Sequence, residues 1–112
     1  MPIQEWSESI WVVQLADEPM LSEELANVKS RAEETEPPPN IVLDMSNVTH
    51  ANSSNLSQIL RIRKLAADRD SKLKVAGVTD PVWVVMLTTG LDKVFDFAEN
   101  VPMALAGLQI EE

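Results

Sequence analysis

A single α/β domain on a mostly parallel sheet is the fold class that the sequence predicts, with about five strands, an N-terminal hairpin and about four flanking helices. Three observations predict it. Short apolar runs rich in branched residues alternate with segments of helical period along the chain. Parallel strands need just such a pattern, because each crossover must be long enough to return across the sheet. A balance of 45% hydrophobic and 24% charged residues is that of a chain able to bury a core. Finally, 112 residues suit one domain, 1–112, and Pro37, Pro38 and Pro39 form too short a break to divide it.

The elements follow in order. Ile3 to Trp6 is a short strand, and Ser7, Glu8 and Ser9 turn the chain into a second strand, Ile10 to Leu15. Asp17, Glu18 and Pro19 break that strand. A surface helix runs from Ser22, its expected N-cap, to about Glu34, with Leu25, Val28 and Ala32 facing inward. The prolines end it. Ile41 to Met45 is apolar throughout, as a strand covered on both faces should be. A long helix spans about Ser53 to Arg69, capped by Asn52 or Ser53. Its expected core stripe is Leu56, Ile59, Leu60, Arg63 and Ala67, widened by Ile62, Leu65 and Ala66. Lys72 to Val78 alternates as a strand. Asp80 is the expected N-cap of a helix through Thr89, with Pro81 as its first helical residue and Gly90 as its left-handed C-cap. Val94 to Phe97 is a last strand, and Pro102 to Leu108 a weaker terminal helix. Trp6, Trp11 and Trp83 are expected to pack, Trp83 with part of its ring exposed.

Composition removes several function classes. Eighteen acids against nine bases give a net charge of −9, the wrong sign for a nucleic-acid backbone or an anionic membrane. Without cysteine there is no disulfide, thiolate nucleophile or cysteine metal site. A lone histidine makes no histidine cluster, and the acids near residues 17–24 read as a loop and helix start, so neither a metal nor another cofactor is expected. Three scattered glycines form no phosphate cradle. The start of the chain lacks a basic segment followed by an apolar run, and Val82 to Leu87 is too short to span a bilayer. A cytoplasmic, non-enzymatic protein is the expectation.

In a parallel sheet, the loops between strand ends and helix starts form the functional edge. The richest of these is Ser46 to Gln58, with four serines, three asparagines, Thr49 and His50. Ser54 falls in the first turn of the long helix, where exposed N–H groups and the dipole tolerate added negative charge. Ser57, Arg61 and Lys64 continue its row, with Asp68 as an expected partner of the cations. Such clusters also serve as caps and turns. His50 reads as a loop histidine with nothing near it in sequence to orient it. Asp44 ends a buried strand, where a carboxylate needs partners, and is expected to accept hydrogen bonds from loop N–H groups.

Residues 41–108 resemble the STAS domain, typified by bacterial anti-sigma factor antagonists. That pattern has a strand ending in an Asp-Leu-Ser-like step, matched by Leu43, Asp44, Met45 and Ser46. A loop ending Asp-Ser-Ser-Gly-Leu is matched by Asn52, Ser53, Ser54, Asn55 and Leu56. A helix ending Leu-x-x-x-Gly-Leu and then Phe is met by Leu87 through Gly90 and Leu91 to Phe95, with two residues rather than three between Leu87 and Gly90. The resemblance implies a phosphorylation-switched interaction domain that binds an anti-sigma factor, a serine kinase of GHKL type, and so releases a sigma factor. It makes Ser54 the phosphoacceptor, with Ser53 and Ser57 as alternates. Asn52, Ser53, Asn55, Ser57, Gln58, Arg61 and Asp44 are the partner-binding candidates. Asn52 and Asn55 depart from the family's aspartate and glycine, and the bulk of Asn55 is expected to hinder close approach of a partner. Those departures motivate the alternative, a non-phosphorylated STAS scaffold or the soluble STAS partner of a membrane transporter's ATPase.

Overall fold

A computed structural model describes residues 3–111. In chain order the elements are β1 (Ile3–Glu5), β2 (Ile10–Ala16), α1 (Met20–Glu34), β3 (Asn40–Asn47), α2 (Ser53–Asp68), β4 (Leu73–Ala76), α3 (Asp80–Thr89), a 3₁₀ turn (Leu91–Lys93), β5 (Asp96–Ala98) and α4 (Val101–Glu111). The sheet has five strands in sequence order, with β1 antiparallel to β2 and every later pair parallel. Each crossover therefore steps one strand in the same direction. Right-handed crossovers that never reverse direction must leave their helices on one face. Accordingly α1, α2 and α3 share one core with the sheet, and α4, which follows the last strand, closes the other face alone. No helix among the described residues is long and apolar enough to cross a membrane.

The larger core sets Trp11, Val13, Ile41, Leu43, Met45 and Val75 against Leu25 and Val28 of α1, Ile59 and Ile62 of α2, and Met86 of α3. The smaller sets Ile10, Val12, Val42 and Ala76 against Ala104 and Leu108 of α4. β4 is buried along its whole length, so its alternating sequence does not mark a wet face. Lys74 is only 7% exposed, with Nζ 2.8 Å from Asp96 Oδ2. It lies under Gly107 of α4, where a Cβ would come within 3.3 Å of that nitrogen. Gly90 takes φ 77° at the end of α3, the expected left-handed cap.

Several expectations are corrected. Helix α1 begins at Met20, and Ser22 sits inside its first turn, because the Glu18 carboxylate takes over the capping role by accepting from Ser22 N at 2.8 Å and from Ser22 Oγ. Thr79, not Asp80, occupies the N-cap position of α3. The buried row of α2 is Leu56, Ile59, Ile62 and Ala66, while Leu60 is half-buried and Arg63 and Ala67 are exposed. Two neighbouring rows of α2 share Leu56 and Ile59, and burial follows the one that continues with Ile62 rather than Arg63. Trp6 is 41% exposed rather than packed. The last strand is displaced to 96–98, because Phe95 N bonds back to Leu91 O and keeps the preceding residues in a turn.

The phase of α2 gives the first prediction. Ile62→Ala should lower stability by about 2–5 kcal/mol. Leu60→Ala, at the margin of the core, should cost less than half of that change. Urea unfolding of both variants measures the difference, and equal losses would restore the original phase.

Candidate functional site

Parallel pairing brings the carboxyl ends of β2, β3 and β4 to one edge of the sheet, with the starts of α1, α2 and α3 beside them. Side chains lace the three loops together. Asp17, after β2, accepts hydrogen bonds from Thr49 N at 2.8 Å, Thr49 Oγ1 at 2.6 Å and His50 N at 3.1 Å. Thr79, after β4, donates Oγ1 to Val48 O at 2.7 Å. Between the loops lies an open cavity of about 530 Å³, lined by Asp17, Glu18, His50, Asn52, Asn55, Pro81 and Val85 among others. The Thr49 hydroxyl and amide hold the Asp17 carboxyl below its ordinary value of 3.8, and the Ser22 hydroxyl and amide do the same for Glu18. Both are carboxylates at neutral pH.

The start of α2 is built by two asparagines. Asn52 takes an extended conformation, and its Oδ1 accepts from Asn55 N at 2.8 Å. Asn55 Oδ1 accepts in return from Asn52 N at 3.1 Å, closing a reciprocal capping box. The Asn55 side chain does more than cap. Its Nδ2 donates to Ser22 Oγ at 3.2 Å and to Glu18 Oε2 at 3.3 Å, joining the first turns of α1 and α2. It is 1% exposed. The expected obstruction of a partner by Asn55 is therefore corrected: the side chain turns inward, and its bulk is used in the scaffold.

The other candidates divide clearly. Ser53, Ser54 and Asn52 are exposed at the cavity end of α2, and Ser54 has no side-chain hydrogen bond among the described residues. The first turn of α2 carries no acid of its own, so its positive dipole end favours added negative charge there, with the Glu18 carboxylate against Asn55 as the opposing charge. Ser57 is half-buried and Arg61 exposed on the same row, with the expected Lys64–Asp68 pair beyond at 2.9 Å. That pair raises the Lys64 pKa through the Asp68 carboxylate. Gln58 is half-buried and donates Nε2 to Ser22 O at 2.9 Å. Asp44 lies apart from this group. Strand alternation puts it on the α4 face with Val42, and its Oδ1 accepts from Ser46 N at 3.0 Å. His50 has an orienting partner after all, its Nδ1 standing 2.9 Å from Thr49 Oγ1. The sequence reading missed the Asp17–Thr49–His50 lacing because its members lie 32 and 33 residues apart, beyond any local pattern.

Two predictions follow from these bonds. Asn55→Ala removes half of the capping box and the bridge to α1, and should cost about 1–3 kcal/mol in denaturant, whereas Ser54→Ala should stay within about 0.5 kcal/mol. Asp17 stabilises the fold when ionised, since its folded pKa lies below the unfolded 3.8. That contribution is complete above the unfolded value and disappears as pH falls through the folded one. Asp17→Asn should therefore be less stable than the parent at neutral pH, with the gap closing in acid below 3.8. Melting temperatures across pH test this, and a gap constant down to strongly acid pH would refute it.

Comparison with known proteins completes the site's context. A family model of the STAS domain matches residues 8–104. Among solved structures, a serine-to-glutamate variant of RsbS from Moorella thermoacetica has a TM-score of 0.76 at 18% identity, covering 97% of this chain and 96% of that one. A Thermotoga maritima protein provisionally assigned as an anti-sigma factor antagonist gives 0.82 at 15% identity, with 96% and 93% covered. A sulfate transporter family protein from Wolinella succinogenes gives 0.72 at 15% identity, with 93% and 88% covered. Curated proteins give no sequence match. At such identities the structural likeness is one of fold, and it extends from an anti-sigma factor antagonist to a transporter-family protein. The match over residues 8–104, on a five-stranded sheet with its antiparallel first strand and four helices, means that the chain belongs to the STAS domain family.

Proposed function

We propose that this domain is a phosphorylation-switched, non-catalytic interaction module of the anti-sigma factor antagonist type. In this reading it binds an anti-sigma serine kinase of GHKL type in the cytoplasm. Ser54 is the phosphoacceptor, and Ser53 and Ser57 are the alternates. The observation that carries this reading is the setting of Ser54: an exposed hydroxyl in the first turn of a helix whose start is fixed by a closed capping box and holds no acid. A phosphate adds nearly two negative charges and three acceptor oxygens. At a helix N-terminus those charges are tolerated by the fold, so the modification changes the surface and leaves the scaffold intact.

The contact surface in this reading is formed by the exposed Asn52, Ser53, Ser54 and Arg61 and the half-buried Ser57, with the cavity beside it. Asn55 and Gln58 act from beneath as positioning residues that tie α2 to α1. Asp44 supports the end of β3 from the opposite face. A second reading, a constitutive binding module, is favoured by one observation: the Asn55 bridge to Ser22 and Glu18 restrains the very turn that a kinase must engage.

Intact mass after incubation with a candidate kinase and ATP separates the two. One added phosphate that is lost in Ser54→Ala supports the switch. No phosphate with binding retained favours the constitutive module. Ser54→Glu should weaken kinase binding by about tenfold or more, equal to about 1.4 kcal/mol, while shifting the melting temperature little. Equal losses of affinity and stability would show that the glutamate had damaged the fold instead.

A further inference from the structure

Helix α3 is apolar on every side, yet one side of it faces solvent. From Pro81 to Leu91, eleven consecutive residues carry no charge on a chain of net charge −9. Val82 and Met86 are buried in the core, but Trp83 is 36% exposed, Val84 59% and Leu87 51%, with Val94 beyond the helix at 36%. A helix that is hydrophobic all round is normally covered all round. Beside this stripe an open hollow of about 290 Å³ lies between α3 and β5. Trp83 and Phe97, whose rings meet edge to face with centres 5.1 Å apart, wall it together with Val78 and Ala98. One face thus carries both projecting apolar side chains and an apolar recess. Its two ends differ in sign. Asp80 is exposed in the first turn of α3, and Lys93 is exposed just past the last, without an ion-pair partner among the described residues. Asp92, beside that lysine, is half-buried.

We propose that α3 pairs antiparallel with α3 of a second copy of this chain. A two-fold contact uses one patch twice, so the patch must hold both halves of every interaction. This one does. In an antiparallel pair centred between Val84 and Leu87, each Leu87 lies level with the other copy's Trp83 and the hollow beside it. Each Asp80 then lies level with the turn that carries the other copy's Lys93. The middle of the contact sets no like charges together, which two chains of net charge −9 require of any face they share. Helix α4 also exposes apolar residues, Met103 and Ile110, but the sequence there has Glu99 before the helix, Glu111 at its end and no base between. Pairing α4 with its copy would bring acid against acid. The exposed stripe of α3 is on the order of a few hundred Å², short of the roughly 800 Å² per partner of a stable complex, so the dimer is weak and reversible. It makes no use of Ser54 or of a phosphate there.

Sedimentation equilibrium of the full chain from micromolar to millimolar concentration tests this. The expected result is a reversible monomer–dimer equilibrium, with amide signals of Val84 and Leu87 shifting with concentration in NMR. Leu87→Lys should raise the dissociation constant about tenfold or more. Leu87 is exposed and a cation suits the last turn of a helix, so the melting temperature of the dilute variant should match the parent's. Lys93→Glu should weaken the dimer severalfold, and adding Asp80→Lys to it should restore the loss. Ser54→Glu should leave the equilibrium unchanged, so the switch and the dimer are read separately. A monomer at every concentration, a dimer that survives Leu87→Lys, a double variant no tighter than Lys93→Glu alone, or a dimer abolished by Ile110→Lys instead would each overturn the proposal.

Discussion

The Asn55 side chain joins the two halves of the functional edge. Helix ends leave their first N–H groups without internal partners and are where helices fray. Here the amide of Asn55 closes the capping box on α2 and donates to Ser22 and Glu18 at the start of α1, while itself lying out of solvent. A buried amide tolerates little movement, because any displacement leaves costly polar groups unpaired. Ser53 and Ser54 therefore ride on a backbone fixed from both sides. In the family pattern this position is glycine, which offers no such bridge, so the restraint on this turn is a property of this chain's own asparagine.

That local joint exists because of the sheet. Crossovers that all step the same way gather the starts of α1, α2 and α3 at one edge, so Glu18 and Asn55 meet although 37 residues separate them. Alternation along β3 then decides which of its residues can take part. Leu43 and Met45 enter the core beneath the helices, while Asp44 between them is turned to the face of α4. The same face holds Lys74 close under Gly107, where any Cβ would stand 3.3 Å from the lysine nitrogen, while Ala104 and Leu108 of α4 pack on the sheet.

The element order was readable because it rests on period and punctuation, which are local. Proline runs, Gly90 and the alternation of apolar runs with helical segments gave the order of the strands and helices, while some bounds, such as those of α1 and β5, shifted. Errors arose where a local rule had a distant competitor. Ser22 is a good cap by type, but a carboxylate four residues earlier supplies the acceptor instead. The stripe on α2 was drawn through Leu60 and Arg63, yet what α2 packs against, α1 and the sheet, is decided by tertiary contacts. The serine-rich turn was legible from composition and family pattern. The Asp17–Thr49–His50 lacing and the inward turn of Asn55 were not, since no spacing in the chain records which loops become neighbours.

The charge of the whole chain is a poor guide to what a partner meets at this edge. At physiological salt, charges more than about 8 Å apart are largely screened from one another, so at close range a partner meets the local pattern of charge more than the net −9. Locally, the signs are mixed. The cavity carries the Asp17 and Glu18 carboxylates, held ionised by their hydrogen bonds, while the adjacent row of α2 offers a helix dipole without acids and then Arg61. A dianion on Ser54 would extend the negative cavity across the helix start and reverse the sign of that row nearest the loop. Because the same dipole would stabilise the added charge, the proposed modification would cost an interface more than the fold. The proposed switch would require that separation, and the first turn it would rest on is fixed by the capping box of Asn52 and Asn55.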